Sequence, residues 1–131
     1  MSASTSRIFH VWFSTKYRKS VLHEEIRDTI LGEFARVADG SSIRVLEVEA
    51  IEDHVHLLIA LASDQELSVA IHDLKGTSAR QVFLKYPELK LDMHSNSFWQ
   101  KGYGSRLVTL REVPLVRRYI RTQNERPLRH E

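Results

Sequence analysis

No cysteine occurs among the 131 residues, which excludes disulfides, thiolate nucleophiles and zinc–thiolate centres together. A metal ion would have to be held by imidazole, carboxylate or amide groups. No apolar run approaches the roughly 20 residues that a membrane span needs. Met1 to Ser6 is short and polar, without the apolar core of a signal peptide, so a cytoplasmic protein is expected. Internal repeats, low-complexity tracts and linkers are missing too, and the length fits one domain over residues 1–131. There is no Gly-x-Ser-x-Gly element to support a serine hydrolase. Lys75-Gly76-Thr77-Ser78 imitates a phosphate loop, but its Lys and Gly are reversed and no upstream glycine lies at the required spacing.

What is present is an ordinary globular composition, 42% hydrophobic and 27% charged, which argues against disorder. The net charge of +2 is unevenly spread. Residues 1–94 hold 11 Lys/Arg against 14 Asp/Glu, whereas residues 95–131 hold 8 against 3. The basic end would attract an anionic partner such as nucleic acid, although from charge alone a solvated arginine face is the better reading.

Hydrophobic periodicity divides the chain into elements. Arg7 to Ser14 alternates, with Phe9, Val11 and Phe13 on one side and Ile8, His10 and Trp12 on the other, as in a strand. Between His23 and Ala38, the residues Ile26, Ile30, Phe34 and Val37 recur at helical spacing. Ile43 to Ile51 and His54 to Leu61 read as two strands joined through Glu52-Asp53. A long helix follows, with Leu67, Ile71, Leu74 and Val82 in its stripe, ending near Tyr86 and Pro87. Ser97 to Thr109 suggests one bent strand or two short ones. A last helix is expected from about Glu112 to Asn124, with Pro114 in its first turn and Pro127 closing it. This βαββαβα order predicts an α+β fold, a ferredoxin-like βαββαβ sandwich with an added C-terminal helix.

Two short patterns carry chemistry. His54 and His56 alternate with Val55 and so project from one strand face, where two ring nitrogens can converge on one metal ion. Many such pairs are merely hydrogen-bonded, so the pattern needs a third ligand and a reacting group. In the last helix, Tyr119 and Gln123 are four residues apart and share a face beside the apolar line of Leu115, Val116 and Ile120. Arg117, Arg118 and Arg121 are expected opposite. Alternatively, the phenol is a core tyrosine with a satisfied hydroxyl. Together the patterns offer two imidazoles, an amide oxygen and a phenol. A divalent ion on His54, His56 and Gln123 would keep open positions for phosphate oxygens and act as a Lewis acid. A phenol is mostly protonated at neutral pH, and neighbouring positive charge would assist its ionisation. A covalent tyrosyl-phosphate would conserve the bond for rejoining. His10, His23, His94 and His130 lack partners at ligand spacing and read as structural or exposed.

At this point the chain resembles the HUH single-tyrosine transposases of the smallest, hairpin-ended bacterial insertion sequences. The resemblance runs through Lys16-Tyr17-Arg18, Asp53-His54-Val55-His56-Leu57-Leu58 and Asp73-Leu74-Lys75-Gly76-Thr77-Ser78. It continues through Phe98-Trp99-Gln100-Lys101-Gly102-Tyr103 and Tyr119-Ile120-Arg121-Thr122-Gln123. It implies His54, His56 and Gln123 as metal ligands, Tyr119 as nucleophile, and Mg2+ or Mn2+ as the ion. Imidazole ligands suit Mn2+ better than Mg2+. It further implies single-stranded DNA with imperfect hairpins as substrate, a 5′-phosphotyrosine intermediate with a free 3′-hydroxyl, and a homodimer whose active sites are shared between subunits.

Basic and aromatic residues fit such a substrate. Lys16, Arg18, Lys19, Lys101, Arg106 and Arg111 are candidates for phosphate contacts, and Tyr17, Tyr103 and Trp99 for base stacking. Phe98 and Trp99 read better as core or dimer interface. The small residues at 76–78 are expected to let their helix approach another backbone or a DNA strand. Two other functions remain open from the sequence. One is a domesticated hairpin DNA- or RNA-binding module of the same fold that no longer cuts. The other is a structural metal-binding dimer unrelated to nucleic acid.

Overall fold

The computed structural model describes residues 6–123. Asn124 and Pro127, where the sequence ends its last helix, lie outside the described residues, as does His130. Four strands, β1 (Arg7–Ser14), β2 (Arg44–Ile51), β3 (His54–Leu61) and β4 (Gly104–Val108), form one antiparallel sheet in the order β2-β3-β1-β4. The helices are α1 (Glu24–Asp39), α2 (Leu67–Lys85), a short α3 (Leu89–Met93) and α4 (Val113–Arg121). This is the expected ferredoxin-like arrangement with its C-terminal helix. Among the described residues no helix is long and apolar enough to cross a membrane.

The sheet has two unequal faces because alternate side chains leave each strand in opposite directions. Val11 and Phe13 of β1 and Val55, Leu57, Ile59 and Leu61 of β3 join the main core. Ile30 and Phe34 of α1 and Ile71, Leu74 and Val82 of α2 cover them. The opposite face is covered over only part of its area. There, Val116 and Ile120 of α4 pack with Ile8, Leu58, Ala60 and Val108. His54 and His56 share that second face but lie toward the other end of β3. The strand that bears them is therefore fixed from behind by the core and left accessible in front.

Several expectations need correction. Leu115 was placed on the buried line of the last helix, yet it is 71% exposed, while Val113 is partly buried. The stripe that meets the sheet is 113-116-120, at helical spacing, and Leu115 falls about one residue's rotation away. The last helix is also shorter at its start, preceded by a 3-10 turn over Leu110–Glu112. The Glu112 carboxylate accepts the backbone N–H of Thr109 at 3.0 Å, and the Glu112 N–H donates to the Thr109 carbonyl. That reciprocal cap fixes the direction in which α4 leaves β4.

Ser97 to Thr109 yields one strand only. Phe98 and Trp99 turn into the main core instead, with the Trp99 indole N–H donating to Ser78 Oγ at 3.0 Å. Trp99 is therefore unavailable for base stacking. Ser78 gives the small-residue stretch of α2 its role here, whereas a side chain at Gly76 would meet nothing within 4 Å. Gly104 needs its lack of a side chain for packing. It stands in register with Trp12, whose indole occupies the space a Cβ would take.

Burial separates the two α4 side chains energetically. Replacing Ile120, which is fully buried, by Ala is expected to cost roughly 2–4 kcal/mol in unfolding free energy. Replacing Leu115 by Ala should cost no more than about 0.5 kcal/mol. Urea unfolding of the two variants checks the contrast, and equal losses would contradict this seating of α4.

Candidate active site

The exposed end of the second sheet face gathers three histidines and a tyrosine. Strand parity puts His10, His54 and His56 on this face, and the β1–β3 register sets Trp12 opposite His56 and His10 opposite Leu58. His10 is thus a diagonal neighbour of His56, within reach across two strands. The His54 and His56 ring centroids lie 5.3 Å apart with planes at 88°. α4 then brings the Tyr119 ring to 5.8 Å from His56 and 5.9 Å from His10. Tyr119 is 40% exposed, so its ring forms a wall of the site and is no core residue. The rings of His10, His56 and Tyr119, with Trp12, Arg106 and Val116, line an open cleft of about 560 Å³.

Each histidine of the pair is held through Nδ1. His54 Nδ1 lies 2.9 Å from Asp53 Oδ1, and the other Asp53 oxygen accepts from Arg18 Nε at 3.1 Å. Burial pushes the Asp53 carboxyl up, but the His54 and Arg18 hydrogen bonds outweigh it and hold the group below the ordinary carboxylate range. His56 Nδ1 lies 3.0 Å from His10 Nε2. Burial, then the charges of His10 and His54, push the His56 imidazole down to about 3. Burial followed by the Arg106 charge lowers His10 as well. His56 is neutral at physiological pH, the form in which an imidazole ligates metal.

This donor set fits a divalent ion. A ligating imidazole ordinarily has its second nitrogen tied to a carboxylate or similar group, and both members of the pair satisfy that condition while retaining Nε2. Among the described residues no cluster of three or more His, Asp or Glu side chains stands ready to hold a metal. Glu49 is in register with His56, but its carboxylate pairs with Arg27. A third protein ligand, if one joined the pair, would be of another kind. Gln123 is the right kind: its amide nitrogen donates to the Tyr119 carbonyl at 3.2 Å, so a metal would use its oxygen.

The cationic residues proposed for phosphate contact divide into two groups. Arg106 stands in register with His10, lines the cleft and pairs with Glu112 at 3.3 Å. Arg18 is engaged with Asp53. Lys19, half-exposed, and Lys101 and Arg111, both exposed, lie on the surface. The Lys16 ammonium lies 5.2 Å from the centre of the Tyr17 ring, which is 59% exposed, and Tyr103 is exposed as well. Tyr17 and Arg18 both adopt left-handed backbone conformations (φ 60° and 53°), which is costly for residues with side chains. The strained turn aims Tyr17 outward and Arg18 back at Asp53. Lys75 of α2 donates to the carbonyls of Gln100 at 2.9 Å and Gly102 at 2.7 Å, securing the loop that carries Lys101 and Tyr103. Arg117 and Arg121, expected to face away from the sheet, instead reach Glu47 of β2 at 3.3 and 3.2 Å.

Sequence spacing missed His10, because its partner lies on a strand 46 residues away. Its shared parity with Trp12 was the available signal, but only the strand order gives that signal meaning.

Comparison with known proteins identifies the family and the fold. The family described as transposase, IS200 like, matches residues 3–123. The ISDra2 transposase TnpA of Deinococcus radiodurans is 30% identical over 118 residues, spanning 90% of this chain and 84% of that one. The transposase for insertion sequence element IS200 of Salmonella typhimurium is 27% identical over 95 residues, 72% of this chain and 62% of its own length. Among solved structures, a candidate transposase from Deinococcus radiodurans R1 superposes with a TM-score of 0.76 at 26% identity, covering 94% of this chain and 95% of that one. A REP-associated tyrosine transposase bound to a REP hairpin shares the fold, with a TM-score of 0.67 at 10% identity, covering 95% and 71%.

The buried imidazole makes stability depend on pH. An unfolded histidine takes up its proton near pH 6.5, whereas folded His56 resists protonation until about pH 3. Its contribution is therefore complete above pH 6.5 and is lost as pH falls toward 3. In the metal-free protein, the urea midpoint is expected to drop more steeply below pH 6.5 than that of His56→Asn. Parallel pH profiles for the two proteins would contradict the assignment.

Proposed function

This chain belongs to the IS200-like transposase family, and from that premise we propose that it cleaves and rejoins single-stranded DNA at hairpin-bearing element ends, with Tyr119 as nucleophile. The observation that carries this reading is the Tyr119 ring at 5.8 Å from His56 in an open cleft. A core tyrosine would be buried, and a surface tyrosine would have no reason to stand beside paired imidazoles.

In the proposed reaction the Tyr119 oxygen attacks the scissile phosphorus. A tyrosyl-phosphate bond forms to the 5′ side, the bond to the 3′ oxygen breaks, and the phenolic proton passes to the medium while the 3′ oxygen leaves as a hydroxyl. Rejoining reverses these steps with a new 3′-hydroxyl. Mg2+ or Mn2+, held by His54, His56 and the Gln123 oxygen, would polarise the phosphate as a Lewis acid. Arg106, beside the rings, is suited to a phosphate oxygen. The half-exposed Lys16 and Lys19 and the exposed Lys101 and Arg111 would track the backbone, while Tyr17 and Tyr103 stack on unpaired bases. Arg18 acts mainly through Asp53.

The active unit is proposed to be a homodimer. Here the Tyr119 ring stands beside its own chain's imidazoles, so sharing active sites between subunits requires α4 to leave its seat on the sheet. Of the other functions, the non-cutting hairpin-binding module has one specific point in its favour: the fold is shared with a hairpin-bound transposase. It gives no reason for a phenol and two tethered imidazoles to meet.

Two measurements test the proposal. Hairpin-bearing single-stranded DNA incubated with the protein and Mn2+ should give a covalent adduct on a denaturing gel. Tyr119→Phe should abolish the adduct while DNA binding persists. Tight binding without adduct under any divalent ion would replace the transferase by the binding module. Separately, Arg106→Ala should weaken single-stranded DNA binding several-fold and flatten the log Kd–log[salt] plot by about 0.7, as for one lost phosphate contact on single strands. An unchanged slope would remove Arg106 from the interface.

A further inference from the structure

Within the second face, His10 has no task in the reaction described above, yet it is 9% exposed and points its Nε2 at His56 Nδ1 from 3.0 Å. Its ring is packed against Trp12 at a centroid separation of 4.9 Å, and Trp12 is itself seated over Gly104. The imidazole is therefore anchored from behind and aimed at one atom of one ligand. We propose that His10 is a positioning residue that sets the tautomer of His56, accepting its Nδ1 proton so that Nε2 is the nitrogen offered to the metal. This rests on the reading of His54 and His56 as metal ligands.

Proton placement allows only one productive arrangement. One hydrogen atom lies between His10 Nε2 and His56 Nδ1. If His10 supplied it, His56 Nδ1 would be an acceptor. The neutral ring would then carry its own hydrogen on Nε2, leaving neither nitrogen with a lone pair for an ion. If His56 supplies it, Nε2 is bare and directed by a hydrogen bond at the far side of the ring. His10 must then keep its own proton on Nδ1. For His54 the same role falls to Asp53, whose carboxylate can only accept. The two ligands are thus oriented by different devices, a carboxylate backed by Arg18 and an imidazole backed by Trp12. An imidazole acceptor leaves the site one negative charge poorer than a second carboxylate would, an advantage where phosphate oxygens must approach.

The test separates tautomer control from packing. Nitrogen-15 NMR of the metal-free protein should show His56 with its proton on Nδ1. In His10→Phe, which fills the space without an acceptor, His56 should shift toward the Nε2-protonated form. His10→Gln, whose amide oxygen can take the place of Nε2, should retain the original form. Calorimetric titration with Mn2+ alone should then show a 10- to 100-fold loss of affinity for His10→Phe and only a few-fold loss for His10→Gln. An Nε2-protonated His56 in the unaltered protein, or a His10→Phe protein that keeps both the tautomer and the affinity, would overturn the proposal. If the unaltered protein bound no Mn2+ while the tautomers behaved as stated, the metal reading would fail and the positioning role would stand. Should His10→Phe not fold, His10→Gln against His10→Asn, which withdraws the acceptor by one carbon, makes the same comparison.

Discussion

The contact of Val116 and Ile120 with Leu58 and Ala60 is what brings a phenol to a pair of imidazoles. The distances from the phenol ring to the imidazoles follow from it. β3 supplies both halves of the arrangement: its far end gives α4 an apolar seat, and its near end presents His54 and His56. Burial matters for a helix of this length, since nine residues are too few for an isolated helix to be stable in water. Its cap onto Thr109 sets its direction, but apolar burial sets its position.

Electrostatics in the cleft is organised around neutrality. Three imidazoles lie close together, and protonating both His10 and His56 would set like charges on rings whose nitrogens are 3.0 Å apart. Burial and the neighbouring Arg106 prevent this for His10, and burial prevents it for His56. The negative charge is kept to one side, on Asp53, where Arg18 and His54 consume both carboxylate oxygens. Glu49 is held by Arg27, Glu112 by Arg106, and Glu47 by two arginines. The carboxylates nearest the cleft are thereby paired, and a polyanion approaching the open face meets cations or neutral rings.

How far the sequence disclosed this depends on the range of the interaction. Alternation within β1 and β3 gave the correct faces for Phe13, His54 and His56, because side-chain direction in a strand is local. The helical spacing of Tyr119 and Gln123 was local too. What spacing cannot give is which strand lies beside which, and His10 was lost for that reason: its position on β1 acquires meaning only when β1 pairs with β3. Leu115 was misplaced by about one residue's rotation, a small error in a periodicity argument but enough to move a side chain from core to solvent. Trp99 read better as core and is core, but the sequence left a second use open for a different reason. An indole can serve as a stacking surface or as core, and only the hydroxyl of Ser78, meeting its N–H from a distant helix, decides between the two.

The seat of α4 is less secure than those of α1 and α2, for reasons visible in its contacts. Two buried side chains hold it, where α1 and α2 share a much larger apolar interface. The Arg117 and Arg121 pairs with Glu47 are partly solvent-exposed on the arginine side, and such pairs contribute at most about 1 kcal/mol. The imidazole pair, by contrast, belongs to a central strand hydrogen-bonded on both sides and backed by the main core. The geometry of the imidazole pair and the position of the phenol are therefore controlled by separate parts of the molecule with different local stabilities. For the proposed reaction, a firmly held pair with a less firmly held phenol would let one site keep the same phosphate geometry while the tyrosine approached, carried its strand and withdrew.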